Sequence, residues 1–183
     1  MPYSSLRDFM ERLEREGELV RVSAPVSPYL EMTEIGTRLL AEDGPAVLFE
    51  NPVDGENHPY GVPVLTNLFG TVDRVAKGMD RAREDLRGLG ETLAFLRQPE
   101  PPGGWREAVA MMPILKTLHA MSPKTISKAP VHEVVLEGDE VDLSRLPIQT
   151  CWPGEPAPLI TWPLVVTSGP DPENDPCDSP NLG

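Results

Sequence analysis

The sequence predicts an α/β (α+β) fold for its first two thirds, in which helices cover a small sheet. Amphipathic helical patterns alternate there with short apolar runs, in the order helix, strand, helix, strand, strand, helices. With 183 residues, of which 39% are hydrophobic, the chain can bury a core of useful size. From about residue 130 onward the apolar runs become β-rich, and no helical segment of any length separates them.

The first helix is predicted from apolar residues spaced three and four apart and from a serine cap before them. These residues are Leu6, Phe9, Met10 and Leu13, after Ser4 or Ser5 and before Gly17. The following segment, 18–22, alternates like a short strand. A second helix is predicted over 29–41, because its pattern resumes after two prolines and stops at Gly44.

The next two apolar runs, 46–49 and 62–65, are predicted to be buried strands. Three helices are then expected over 71–79, 80–97 and 105–121. The first should turn Val72, Val75, Ala76 and Met79 inward, and the second Leu86, Leu89, Leu93 and Leu96. Pro113 is expected to interrupt or restart the third.

Beyond residue 130 we expect strands over 131–136 and 159–167, with a turn at Gly138. Two or three strands are marginal alone, so this module needs completion by later residues or by another chain. Charge changes at the same point: from Val131 to Gly183 ten acidic residues accompany one basic residue, whereas the preceding part carries 19 and 15. Two domains are therefore predicted, 1–125 and 126–183.

The composition argues against several classes of function. A net charge of -13 offers no source for neutralising phosphates, so no nucleic-acid partner is expected. The apolar runs are shorter than the ~20 residues of a membrane-spanning helix. No secretory leader pattern opens the chain, so a cytoplasmic location is predicted. Cys151 and Cys177 lack the spacing of a zinc site and are interpreted as reduced bystanders.

The sequence contains no motif of a self-contained active site. Phosphate-binding glycine motifs and the serine nucleophile elbow are absent from the sequence. The histidines, His58, His119 and His132, lie in different segments without partners at metal-ligand spacing, so we interpret them as surface or capping residues. Paired acids at helix starts and turns are explained by solvation.

Several segments, taken in order, carry a resemblance to a known family. They are Leu6 to Leu13, Gly17 to Val22, the run Pro63-Val64-Leu65-Thr66-Asn67-Leu68-Phe69-Gly70, Leu146-Pro147-Ile148, Cys151-Trp152-Pro153-Gly154 with Glu155, Leu159 to Trp162, and Asn181-Leu182-Gly183. Together they resemble the UbiD family of prenylated-FMN-dependent (de)carboxylases, of the 4-hydroxy-3-polyprenylbenzoate decarboxylase type. Each motif alone is weak, but their order and spacing make a chance match improbable.

The resemblance implies an N-terminal α/β domain followed by the beginning of a split β-barrel that binds prenylated FMN. It places Thr161 on the strand beside this cofactor. Asn181 resembles the motif asparagine that binds the cofactor and supplies an oxygen to a divalent metal, usually manganese. No catalytic residue is assigned, because the acid, the arginine and the other metal ligands of the family lie in later segments. The chain is accordingly expected to be the N-terminal portion of the enzyme.

The function implied is a reversible, non-oxidative decarboxylation of an aromatic or α,β-unsaturated acid, with a polyprenyl-hydroxybenzoate-like substrate of ubiquinone biosynthesis as the commonest case. A prenylated-flavin synthase would supply the cofactor, and the full-length protein would be a homo-oligomer. The chain by itself is expected to be inactive and to bind little prenylated FMN. Two alternatives stay open: a non-catalytic acidic α/β interaction domain, and an accessory subunit of a separate catalytic chain.

Overall fold

A computed structural model of the chain describes residues 3–97, 104–105, 109, 112, 116, 125–161, 163, 165–167 and 181–182. The chain divides into two compact units. One contains Val72–Leu143, and the other contains Tyr3–Thr71 together with Ser144–Gly183. The domain boundary predicted at 125/126 stays a prediction.

The unit that begins at Tyr3 is built on a three-stranded mixed sheet. Its elements are α1 (Leu6–Arg15), β1 (Leu19–Val22), α2 (Glu31–Ala41), β2 (Ala46–Phe49) and β3 (Val64–Thr66). The strand order is β1-β2-β3, with β1 parallel to β2 and β3 antiparallel to it. Because parallel neighbours need a long crossover, α2 serves as the connection between β1 and β2. The predicted order of elements is confirmed in this unit.

Strand β2 is buried on both faces, because its side chains point alternately into two separate cores. Ala46 and Leu48 pack with Phe9 and Leu13 of α1. Val47 and Phe49 belong to the other core, in which Met32 of α2 is buried. Helices therefore cover the two faces of the sheet, one on each side.

The third strand, β3, was predicted to be buried but is only half-buried. All three residues of β3 are half-buried, because β3 is an edge strand of this sheet with a single neighbour. The strand also begins at Val64, two residues later than expected. Its open edge leaves room beside it for another segment of the chain.

In the Pro63 to Gly70 motif, the side chain of Asn67 makes hydrogen bonds to the segment that precedes β2. Asn67 has a positive φ of 54°, a conformation that asparagine tolerates better than most residues. Its Nδ2 donates hydrogen bonds to the carbonyl oxygens of Gly44, at 3.1 Å, and Pro45, at 2.9 Å. A turn after β3 thus binds the segment that leads into β2.

The other unit contains α3 (Val72–Gly78), a 3-10 turn (Arg83–Asp85) and α4 (Leu86–Arg97). The face predicted for helix α3 is confirmed in part: Ala76 is buried and Val75 half-buried, but Val72 and Met79 are exposed. Arg74, which the spacing does not predict, is buried. Seven residues make about two turns, too few for a spacing argument to select a face. No residue of α4 is fully buried. The helix predicted over 105–121 lies almost entirely outside the described residues.

The strand predicted over 131–136 is wrong. Pro130–Glu133 forms a 3-10 turn, which begins with a proline that lacks an N–H, and Val134 has extended backbone without a partner strand in the described part of the chain. Val131, Val134 and Val135 are exposed. A β-rich composition does not form a strand where no neighbour accepts its hydrogen bonds.

In the run predicted as a strand over 159–167, the described residues pair at two places. Leu159 forms an isolated antiparallel bridge with Gln149. Farther along, β4 (Val166–Thr167) pairs with β5 (Asn181–Leu182) in antiparallel register. The split β-barrel stays a prediction. Among the described residues, no helix has the length and apolar character needed to cross a membrane.

Candidate functional site

A pocket of about 300 Å³ lies beside β3, where three segments of the same unit meet. One segment is the start of β3, one follows the 3-10 turn Leu143–Arg145, and one leads toward β4. The lining residues are Pro63, Val64, Leu65, Leu146, Pro147, Ile148, Gln149, Leu159, Ile160 and Thr161. The pocket therefore includes two residues of the half-buried edge strand, Val64 and Leu65.

The lining is apolar except for two neutral side chains, Gln149 and Thr161. No ionisable residue is among those that line it. Pockets for small molecules are commonly apolar with a few polar groups that set orientation. Its volume lies at the lower end of the range of small-molecule pockets, about 300–1,000 Å³. Its lining fits an uncharged, largely apolar part of a ligand.

Hydrogen bonds on both sides hold the wall segment Gln149 to Cys151. On one side the backbone N–H of Thr150 donates to the carbonyl of Pro28, at 3.1 Å, and the carbonyl of Thr150 accepts from Leu30, at 3.0 Å. On the other side the N–H of Leu159 donates to the carbonyl of Gln149, at 2.8 Å. The wall is thus tied to the start of α2 and to the segment that carries Thr161.

The hydrogen bond between the wall segment and the start of α2 is made by Leu30, whose backbone is strained. Leu30 has φ 63° and ψ −33°, and the N–H of Glu31 donates to the carbonyl of Tyr29 at 2.7 Å, which is the hydrogen bond of a γ-turn. Backbone strain of this kind costs about 1–3 kcal/mol and persists where surrounding contacts hold it. Here the bonds to Thr150 supply such contacts, together with the Oγ1 of Thr33, which lies 3.5 Å from the Oε1 of Gln149.

The structure places the two predicted site residues on different elements. Thr161 lines the pocket. Asn181 belongs to β5, where it pairs with Thr167 of β4. Within the described part of the chain, no group of three or more His, Cys, Asp or Glu side chains is placed to hold a metal ion. The cofactor roles of Thr161 and Asn181, and the metal role of Asn181, stay predictions.

The lining fits one part of the predicted cofactor better than the other. Its apolar walls and two neutral polar groups suit an isoalloxazine ring. The phosphate of FMN needs cations or converging N–H donors, and no lysine or arginine lines this pocket. The lining therefore suits the ring of the cofactor and does not suit its phosphate.

Sequence analysis did not identify Gln149 as a site residue. It sits between Ile148 and Thr150 without a motif of its own, and its place depends on contacts with segments far away along the chain. A second concavity, of about 500 Å³, belongs to the other unit and is lined by Ser127, Lys128, Ala129, Pro130, His132 and Glu133. Its lining residues all come from one short stretch of chain, whereas three separate segments line the pocket beside β3.

Two family models match consecutive parts of the chain and identify the family to which it belongs. Residues 10–93 match the family model described as 3-octaprenyl-4-hydroxybenzoate carboxy-lyase N-terminal domain. Residues 124–183 match the model described as 3-octaprenyl-4-hydroxybenzoate carboxy-lyase Rift-related domain. The chain belongs to the UbiD family. The resemblance found in the sequence is confirmed, and the relationship is to carboxy-lyases, that is, to decarboxylases.

Solved structures similar to this UbiD-family chain include the UbiD-class enzyme HmfF from Pelotomaculum thermopropionicum. An evolved dimeric form in complex with prFMN is 31% identical, with a TM-score of 0.42, over 54% of this chain and 21% of that chain. The enzyme in complex with FMN is 32% identical, with a TM-score of 0.41, over 52% of this chain and 20% of that chain. The match spans about a fifth of the length of those enzymes.

Proposed function

We propose that the chain is the N-terminal part of a reversible, non-oxidative decarboxylase of aromatic or α,β-unsaturated carboxylic acids that uses prenylated FMN. The single observation that supports this most is the match of two UbiD-family models in consecutive order on one chain. A polyprenyl-hydroxybenzoate-like acid is the substrate we propose. When bound, the flavin supplies the electron sink that loss of carbon dioxide from an sp2 carbon requires.

In this proposal the residues of the chain bind and orient, and the proton chemistry is supplied by later segments. Gln149 and Thr161 would supply hydrogen-bonding groups to the flavin, and the apolar lining would exclude water from it. Asn181 helps to hold the phosphate through a divalent metal, manganese in the family. An amide oxygen is an acceptable ligand for such a hard cation. One neutral oxygen is insufficient, so the remaining ligands must come from other residues.

We further propose that the chain alone neither decarboxylates nor binds prenylated FMN tightly. The lining of the pocket contains no ionisable side chain, and hence no proton donor for the carbon that loses carbon dioxide. A prenylated-flavin synthase would supply the cofactor to a cytoplasmic homo-oligomer.

The proposal is tested by expressing the full reading frame together with a prenylated-flavin synthase. Purified protein is assayed for flavin absorbance and for carbon dioxide release from a panel of hydroxybenzoates, cinnamates and polycyclic acids. We expect bound flavin and turnover of at least one acid, with both reduced in Asn181→Ala and flavin binding weakened in Thr161→Val. As a control, Thr37→Val should behave like the wild type, because among the described residues the Thr37 hydroxyl donates only to the helix carbonyl of Thr33. Flavin-free, inactive wild-type protein would contradict the proposal.

A second candidate function is that of a non-catalytic acidic interaction domain or an accessory subunit. It is supported by the net charge of -13 and by the exposed valines at 131, 134 and 135, beside backbone that is extended at Val134. An extended segment with free hydrogen-bonding groups can pair with a strand of another chain. Stable capture of a basic partner by the chain, without flavin in the complex, would favour this function over the enzyme.

A further inference from the structure

We propose that Glu155 is a positioning residue: its carboxylate fixes the wall that carries Gln149, Leu159 and Thr161, and thereby the affinity of the pocket for a flavin ring. The ligand named here rests on the proposed function. The positioning role itself rests on contacts within the chain, and the two can be tested separately.

The carboxylate of Glu155 closes the loop that joins two walls of the pocket. Its Oε2 accepts the backbone N–H of Cys151, at 2.6 Å, and that of Trp152, at 3.0 Å. The N–H of Glu155 itself donates to the carbonyl of Trp152, at 3.3 Å. Hydrogen bonds to an ionised acceptor are stronger than those between neutral groups. One side chain therefore gathers the first half of the loop into a compact turn.

The loop has few other N–H groups that could form hydrogen bonds within it. Pro153, Pro156 and Pro158 have no backbone N–H. The turn also contains Gly154 at φ 85°, a conformation that glycine adopts without strain. Without the carboxylate of Glu155, the N–H groups of Cys151 and Trp152 lose the acceptor that the described structure provides for them.

The loop connects directly to the pocket at both of its ends. The loop comprises residues 150–158, so Gln149 precedes it and Leu159 follows it, and the two are bridged by the hydrogen bond of 2.8 Å. The side of the wall that faces α2 is tied independently, through Thr150. Loss of the Glu155 contacts should therefore release the other side, which leads to Ile160 and Thr161.

The same loop contributes little to the core. Trp152 is 62% exposed, and no residue from Trp152 to Pro158 is buried. Little apolar surface is lost if the loop opens, so the free energy of unfolding should change little. A residue whose contacts secure a pocket wall but not the core is expected to affect ligand binding more than stability.

The experiment uses the protein expressed from its full reading frame, with FMN as the probe. The variants are Glu155→Ala, which removes the acceptor, and Glu155→Gln, which keeps an uncharged one of the same length. Glu56→Ala is the matched control, because Glu56 is an exposed loop glutamate of the same unit whose carboxylate lies near only His58 in the described structure. Measurements are FMN affinity by fluorescence titration, melting temperature, and amide hydrogen exchange of residues 149–161.

We expect Glu155→Ala to weaken FMN binding by about tenfold, the equivalent of one charge-assisted hydrogen bond. Glu155→Gln should recover part of this loss, and the Cys151, Trp152 and Leu159 amides of Glu155→Ala should exchange faster than in the wild type. The melting temperature and the control should match the wild type. Unchanged FMN affinity in Glu155→Ala, or a loss fully explained by unfolding, would overturn the inference.

The two proposals fail in different ways. If the wild type does not bind FMN and releases no carbon dioxide, the proposed function fails. Amide exchange still decides the role of Glu155 in that case, because it needs no ligand. Faster exchange at Cys151, Trp152 and Leu159 in Glu155→Ala supports the positioning role, and unchanged exchange contradicts it.

Discussion

Asn67 offers the sharpest test of the fold, because its side chain and its backbone contribute separable free energies. Asn67→Ala removes both hydrogen bonds to the carbonyls of Gly44 and Pro45, worth about 1 kcal/mol each. It also places a Cβ without polar groups at φ 54°, which costs roughly 1 kcal/mol more. Asn67→Gly loses the same hydrogen bonds but adopts the positive φ freely. We expect a loss of about 3 kcal/mol for alanine and about 2 kcal/mol for glycine.

The assay is urea unfolding of the chain, followed by circular dichroism at 222 nm. Asn57 supplies the control, since it also has a positive φ, of 64°, but is exposed and makes no side-chain hydrogen bond in the described structure. Asn57→Gly should be close to neutral. Equal losses for Asn67→Ala and Asn67→Gly would refute the backbone contribution, and losses of the same size at Asn57 would refute the hydrogen-bond contribution.

Three further predictions concern single contacts. Thr66→Val should raise the free energy of unfolding by about 1 kcal/mol, because the buried Oγ1 of Thr66 has no hydrogen-bond partner in the described structure. Urea unfolding measures this change, and a lower free energy of unfolding in the variant would contradict it. The backbone N–H groups of His58 and Glu56 lower the pKa of Asp54, so its stabilising effect should be present above about pH 4, the unfolded value, and disappear as pH falls through the folded pKa. Unfolding of the wild type and Asp54→Asn across pH 2–6 would show a difference that shrinks in acid, and a constant difference would exclude this linkage. Phe49→Ala should cost about 3–5 kcal/mol, since the ring is fully buried; a cost below about 1 kcal/mol would mean that the core refills the cavity.

The parts of the fold that were predicted correctly depend on local pattern. The spacing of Phe9 and Leu13 and the cap at Ser5 place α1 within two residues of its observed bounds, because both signals lie inside the helix they describe. The compact apolar run of β2 likewise indicates a strand buried on both sides. In α3, however, spacing predicted the burial of Ala76 but not that of Arg74, because a pattern of apolar residues cannot indicate a buried charged one.

The parts that were missed depend on contacts between distant segments. Val131 and Val134 have β-forming side chains, but a strand also needs a neighbour, and the residues alone do not reveal whether one exists. Gln149 lines the pocket because β3, the start of α2 and the segment at Leu159 all meet it. The family resemblance pointed to Thr161 because that residue lies in a family motif, and Thr161 does line the pocket, although its cofactor role stays a prediction. Gln149 lies in no such motif, so the resemblance could not point to it.

The alternating burial of β2 leaves this strand no tolerable alternative alignment. A slip of one position would exchange its two sets of side chains, sending the bulky ring of Phe49 toward α1 and small Ala46 toward α2. One core would then be overfilled and the other would contain a void. The two faces of the strand thus carry side chains of different size, so only one alignment fits both cores. Insertions or deletions between Ala46 and Phe49 should therefore be tolerated less well than almost any change in the loops around the strand.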